Sequence, residues 1–419
     1  MICDHIYIDA RNFGMHFGFL KLSLKDAAVE IVKECPNQSF IYDANYESLY
    51  DVNRDYYNIN ELASLAHTNI QFLKPHRLKM IKALEQDINS YRDVPWSLII
   101  PKDELKESFK DVASMSQTLL NSDVTGYYVD VYSMHRDVFL SLHDAFVDKH
   151  KILFHASNEE NQTCLSALES CMPNSKGICN SIIYDIAGSV TGRMRILSGP
   201  NVLALKKQYR DIFVSKYKNG SIISIDMSSF EPRVALALAN QTEMASQIDI
   251  YEKLASMLLV PRGVAKHAII AMMFGASNHT LANILGTTER GLLSELAELL
   301  EINKISKELS QQLSGLGYIK NHYGRPVFPS SNDDNVLYNN FVQSTAVDVS
   351  LIAFRSIINT LNNNDIKMCP IFLVHDCIYL DIHPDSIQYI LNMVHQPMHI
   401  DGMQDIQFYM KCEIINGNK

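Results

Sequence analysis

Ser221-Ile222-Ile223-Ser224-Ile225-Asp226-Met227-Ser228-Ser229-Phe230-Glu231-Pro232-Arg233 is the stretch on which the reading of this chain turns. Residues 221–225 are β-branched at three of five positions and read as a strand that ends at an aspartate. Pro232 suits the first turn of a following helix. A second run, Ile371-Phe372-Leu373-Val374-His375, also leads into an aspartate, Asp376. A lone aspartate after a strand is most often a turn residue or a helix N-cap. Two at strand ends can instead hold hard divalent cations, because Mg2+ takes a few carboxylates together with phosphate oxygens. Two such ions about 4 Å apart neutralise the oxygens that react in phosphoryl transfer.

Between the aspartates, Arg262, Lys266, Ile270 and Phe274 recur at every fourth residue, and Gly275 follows. On a helix this spacing makes a slowly drifting stripe on one side. It has two readings. The cations can hold a triphosphate with the apolar end against a base, or the helix can be amphipathic, with snorkelling cations and a core-facing Ile and Phe. Gly275 permits a helix break or a close backbone approach.

The chain has 419 residues, enough for two or three domains, and 47% of them are hydrophobic, which argues for a packed core rather than disorder. Its eight cysteines include no C-x-x-C pair, so reduced thiols are expected rather than zinc ribbons or redox dithiols. Met1-Ile2-Cys3-Asp4-His5 lacks a basic or apolar leader, and no apolar run reaches the roughly 18 residues of a membrane span. A soluble, cytoplasmic protein with no membrane partner is expected. The formal charge of −10 argues mildly against nucleic-acid binding. A groove needs only a local basic stripe, however, and two exist. They are Lys74-Pro75-His76-Arg77-Leu78-Lys79-Met80-Ile81-Lys82 and the set Lys206, Lys207, Arg210, Lys216 and Lys218. Either alone reads as a solvated face.

Strand-like runs at Ile6 to Ile8, Phe40 to Tyr42 and Leu98 to Ile100 mark a mixed N-terminal region. Helix is expected over 131–157, 246–320 and 339–361, a strand–turn unit around Tyr323-Gly324-Arg325-Pro326, a strand pair over 370–382, and a last strand near 406–414. This is an α+β layout: an antiparallel sheet carrying helices, with a helical insertion between the acidic strands.

Six segments, standing along the chain in the right order, resemble DNA polymerases of family A, the group of bacterial repair and phage replicative enzymes. Asp226-Met227-Ser228-Ser229-Phe230-Glu231-Pro232-Arg233 resembles motif A, and Arg262-x3-Lys266-x3-Ile270-x3-Phe274-Gly275 resembles motif B. Val374-His375-Asp376-Cys377 resembles motif C. Thr191-Gly192-Arg193 followed by Pro200-Asn201, Tyr323-Gly324-Arg325, and Asn339-x3-Gln343-Ser344-Thr345-Ala346 are similar to the family's flanking segments. The resemblance covers residues 189–382.

The resemblance implies a right-hand fold with an antiparallel palm sheet, helical fingers, a shortened thumb and an N-terminal α/β region. Its parts would be 1–120, degenerate exonuclease-like or part of the thumb; 121–188, thumb-like and helical; 189–245, palm with motif A; 246–320, fingers; and 321–419, palm with motif C. The implied activity is template-directed addition of dNTPs to a primer 3′ end, with a related single-chain RNA polymerase or primase-like enzyme as the alternative. Asp226 and Asp376 would bind two Mg2+ ions, with Mn2+ as a substitute. Arg262 and Lys266 would contact the triphosphate, Lys266 also serving as proton donor to pyrophosphate. Glu231 would exclude a 2′-hydroxyl, and Ile270, Phe274 and Gly275 would face the incoming or templating base. Arg193, Asn339, Gln343, His375 and Arg233 would touch primer–template DNA. A processivity factor, a separate exonuclease or other replication proteins are candidate partners, and a phage or viral source, acting in the bacterial or host cytoplasm, fits the small size. Three positions depart from the family pattern: Ile270 replaces an aromatic, Phe274 a tyrosine, and Cys377 a glutamate. Two aspartates are therefore expected to suffice, with Asp381 a poor substitute. Asp9 and Asp43 lack the partners of a proofreading nuclease.

Overall fold

The computed structural model describes residues 126–185, 189–286 and 290–416, and before them 5–9, 19–23, 28–32, 56–58, 101 and 103–104. The basic stripe at Lys74–Lys82, the runs at 40–42 and 98–100, and Asp43 lie outside the described residues. The chain divides into two units, Met1–Asp130 and Val131–Lys419. In the first unit β1 (His5–Asp9), β2 (Phe19–Ser23), β3 (Ala28–Val32) and β4 (Tyr56–Asn58) form one sheet in the order β3-β2-β1-β4. The β1–β2 and β2–β3 pairs are antiparallel and β4 runs parallel to β1, with Asp9 as the last residue of β1.

The second unit begins within α1 (Gly126–Leu140) and is centred on an antiparallel sheet. Its strands are β5 (Ser221–Met227), β6 (Met368–Val374), β7 (Cys377–Ile382) and β8 (Met410–Asn416), in the order β6-β7-β5-β8. Side chains alternate across such a sheet. Ile223, Ile225, Ile378 and Leu380 share one fully buried face. On the opposite face Ile222, Phe372 and Tyr379 join a core with Ile152, Cys164, Leu168 and Phe213. Ile152 lies on α2 (Lys149–Ser157), and Cys164 and Leu168 on α3 (Gln162–Ser170). The rings of Phe213 and Phe372 lie 4.5 Å apart and those of Phe372 and Tyr379 4.4 Å, distances at which aromatic pairs attract beyond their buried area. Within 121–188, α2 and α3 therefore bury their apolar sides against the sheet.

The sheet is interrupted by a long helical insertion, as expected. After β5 come α4 (Phe230–Leu238), α5 (Ile250–Leu258), α6 (Arg262–Met273), α7 (Asn278–Leu285), α8 (Arg290–Leu299) and α9 (Ile302–Leu316). Asp249 caps α5 by accepting the amides of Tyr251 and Glu252. Leu259, with φ of 53°, and the following Pro261 end it, and α6 leaves at 98°. Ile319–Lys320 and Pro326–Val327 pair around the expected turn. The helix expected at 339–361 begins earlier, as α10 (Asp334–Asn363). By length and composition α10 could cross a bilayer, but 72% of its apolar window is buried in this fold, as in the core helix of a globular domain. At the C-terminal end two strands replace the one expected, Met403–Phe408 and β8.

Candidate active site

The two aspartates meet because β5 and β7 are paired. Cys377 stands opposite Asp226 in register, and the Met227 amide donates to the Asp376 carbonyl at 3.1 Å. Asp376 is not the last residue of a strand, as its run suggested. It is the second residue of a two-residue hairpin loop between Val374 and Cys377. His375, the first, has a φ of 54°, the left-handed geometry that such tight loops require and that side chains other than glycine adopt only under constraint.

Burial, and then the charge of Asp226, push the Asp376 carboxyl up to about 6. Burial also raises Asp226, against the lowering pull of Lys207, Lys411 and Arg210. The charge of Asp226 thus hinders ionisation of Asp376, a repulsion that a divalent cation would relieve. No group of three or more metal-liganding side chains occurs among the described residues. Two carboxylates suit Mg2+, which completes its shell with water and substrate phosphate oxygens. Cys377 adds nothing to this donor set, since burial pushes its thiol up to about 12 and keeps it neutral. Asp381 is excluded, being buried where it accepts the Ser215 hydroxyl at 2.5 Å and the Lys216 amide at 2.9 Å. A further acid escaped the sequence reading. Glu413 lies two residues along β8 from Lys411, the register partner of Asp226, and its charge contributes to raising Asp226. It is paired with Lys207 at 2.5 Å.

Glu231 sits in the first turn of α4, where a helix N-terminus favours negative charge. Arg193 Nη2 donates to its Oε1 at 2.5 Å. Both residues act on His375 and Asp376: Arg193 lowers the pKa of each and Glu231 raises it. Arg193, Glu231, His375, Asp226 and Asp376 therefore form one cluster.

On α6 the buried side is Ala265, Ala268, Ile269 and Met272. The Arg262–Phe274 stripe lies on the other side, with Arg262 and Lys266 exposed, Ile270 half-buried and Phe274 46% exposed. A core-facing Phe274 is ruled out. Arg262 donates to Asp249 at 2.8 Å, and the charges of Arg262 and Lys266 lie 5.4 and 5.6 Å from the centre of the Tyr251 ring. Tyr251 is buried, its pKa raised chiefly by burial, with Ser229 as a hydrogen-bond partner and the charge of Asp376 also felt. It links the cationic helix to the carboxylates and was missed in the sequence. Its only signal there is the Asp249 cap two residues before it, which reveals a helix start but not the partner. Gly275 ends α6 with a φ of 76°, and a Cβ there would lie 2.8 Å from the Asn335 Cβ, so both its expected roles apply.

Two groups of expected DNA contacts fare differently. Arg233 is fully buried, and its guanidinium donates to the carbonyls of Ala245, Gln247 and Gln407. It is a structural residue rather than a DNA contact, because α4 turns this position inward. Asn339 and Gln343 stand one turn apart on α10, half-buried. The ion pairs around the aspartates do not include them.

The family model described as DNA polymerase family A matches residues 76–419. No curated protein matches the chain. Among solved structures, the chain is similar to the POL domain of Pol1 from M. smegmatis in complex with DNA primer-template and dNTP, at 15% identity and a TM-score of 0.48. The match covers 85% of this chain and 62% of that one.

Proposed function

Because this chain belongs to DNA polymerase family A, we propose that it is a template-directed DNA polymerase that adds dNTPs to a primer 3′ end and releases pyrophosphate. The observation that carries this reading is the meeting of Asp226 and Asp376 beside a helix that displays Arg262 and Lys266 around Tyr251. In this reading the β5–β8 sheet is the palm and α5–α9 the fingers. Asp226 and Asp376 would hold Mg2+ or Mn2+, which when bound supplies charge neutralisation at the reacting phosphate oxygens.

The protein's own groups do the rest. Arg262 and Lys266 bind the triphosphate and orient it toward the carboxylates, and Tyr251 fixes both cations by stacking. Lys266 donates a proton to the leaving pyrophosphate oxygen, which departs as an anion. Arg193 and His375 flank the primer end. Glu231, held by Arg193, meets the sugar of the incoming nucleotide and disfavours a 2′-hydroxyl. An RNA-making relative is expected to carry a small residue at position 231.

Primer extension with Mg2+ tests this, comparing dNTPs with rNTPs for the wild type and Asp226→Ala. Extension with dNTPs that is lost in Asp226→Ala is expected. Extension surviving that change defeats the metal assignment, and preference for rNTPs defeats the choice of sugar.

A further inference from the structure

Arg325 and Asp348 form an ion pair deep in the second unit, neither of them part of the site described above. Arg325 Nη2 donates to Asp348 Oδ1 at 2.5 Å and Nε to Oδ2 at 3.3 Å, a forked geometry. Asn321 Nδ2 donates to the same carboxylate at 2.6 Å, and His135 Nε2 lies 3.6 Å from it. Asp348 and His135 are fully buried and Arg325 nearly so. Burial pushes His135 down to about 4, so the group carries one positive and one negative charge near neutrality. Asn321 Oδ1 accepts the amides of Tyr323 and Arg325 and fixes the turn that presents the arginine.

The other side of the Arg325 guanidinium faces Gly192. A Cβ at Gly192 would fall on that guanidinium, and the φ of 75° there already favours glycine. The same short loop is tied by the Gly192 amide to the Ser189 carbonyl at 3.1 Å and by the Ser189 hydroxyl to the Arg193 carbonyl at 2.9 Å. The next side chain, Arg193, is the one that holds Glu231. A continuous path therefore runs from Asp348 on α10, through Arg325 and the backbone of Gly192, to Arg193 and Glu231.

We propose that Arg325 and Asp348 are positioning residues, setting the 189–193 loop so that Arg193 meets Glu231 and the primer end. This rests on the reading of Arg193 as a contact of the reacting complex. Asp348 orients the guanidinium, the guanidinium fixes how close the loop can approach, and the loop fixes the origin of the Arg193 side chain. Arg325→Lys keeps the charge but loses the planar fork, so the loop is released while the buried carboxylate keeps a partner.

The test is a double-mutant cycle on kcat/KM for correct dNTP addition and on dNTP-over-rNTP preference, using Arg193→Ala, Arg325→Lys and the double variant, with melting curves for each. Arg325→Lys is expected to lower kcat/KM about tenfold to a hundredfold, the loss produced by a small misplacement in an active site. The double variant is expected to be no worse than Arg193→Ala alone, with the same changed sugar preference, because both changes act through one side chain. Should Arg325→Lys not fold, Asp348→Asn, which keeps the shape and one acceptor, takes its place in the cycle. Losses that multiply in the double variant, with sugar preference untouched by the change at 325 or 348, overturn the proposal and leave the polymerase reading standing. Wild-type extension by Arg193→Ala overturns the proposal together with the role of Arg193 on which it rests.

Discussion

Asp376 titrates near 6 because burial and Asp226 oppose its ionisation. The folded chain therefore holds this proton more tightly than the unfolded chain, in which a carboxyl ionises near 4. Metal-free protein should lose stability as pH rises from about 4 through 6, by on the order of 2 kcal/mol after allowing for partial exposure. Asp376→Asn should make that slope clearly shallower, leaving the part that the raised Asp226 carboxyl contributes. Chemical denaturation across this range checks it, and a stability that rises with pH and is indifferent to the substitution would contradict the coupling. Arg233 supplies the second expectation at this level. Its guanidinium lies among backbone carbonyls, so Arg233→Met should lower the melting temperature and leave the salt dependence of DNA affinity unchanged. A phosphate contact would instead reduce the log–log slope by about 1. Motif position alone could not distinguish the two cases. The inward turn of Arg233 depends on how α4 seats against the strand at Met403–Phe408, which no local pattern encodes.

Strand β5 was legible from its β-branched run before an aspartate and the α6 stripe from its period close to four. The hairpin between β6 and β7 was legible as a strand pair, but the place of Asp376 within its loop was not, since the apolar run continues on both sides. Tyr251 and Glu413 were invisible for a different reason. One reaches the site through the 98° bend between α5 and α6 and the other through the register of β8 on β5. The end of α6 is the part most exposed to backbone strain. Gly275→Ala must adopt a φ of 76° and move Asn335, which should cost on the order of 1–2 kcal/mol and displace Phe274. A melting temperature equal to or above that of the wild type would show that the contact yields freely. Tyr251→Ala should raise KM for dNTPs more than Tyr251→Phe does, because the ring rather than the hydroxyl lies against the two cations. Equal effects would assign the role to the hydroxyl.

The second unit places its reactive groups at one end of a four-stranded sheet whose remaining face is covered by α2, α3 and the aromatic core. Two of the helices expected to be thumb-like, α2 and α3, bury residues in the core at the sheet, and the low processivity we propose is consistent with a reduced thumb. Under conditions where each enzyme meets a primer once, extension should stop after a few additions, and long products per encounter would contradict this. Net charge points the same way: at −10 the protein relies on a few local cations, with Lys207 and Lys411 beside Asp226. The central claim is that Asp226 and Asp376 act together as the carboxylates of templated nucleotide addition. Its most direct measurement is single-nucleotide addition opposite each of the four template bases, under single-turnover conditions, with wild type and Asp376→Asn. The wild type should add only the complementary dNTP, and Asp376→Asn should be slower by roughly a thousandfold while binding primer–template normally. Addition by Asp376→Asn at the wild-type rate, or by the wild type without regard to template, would contradict the account.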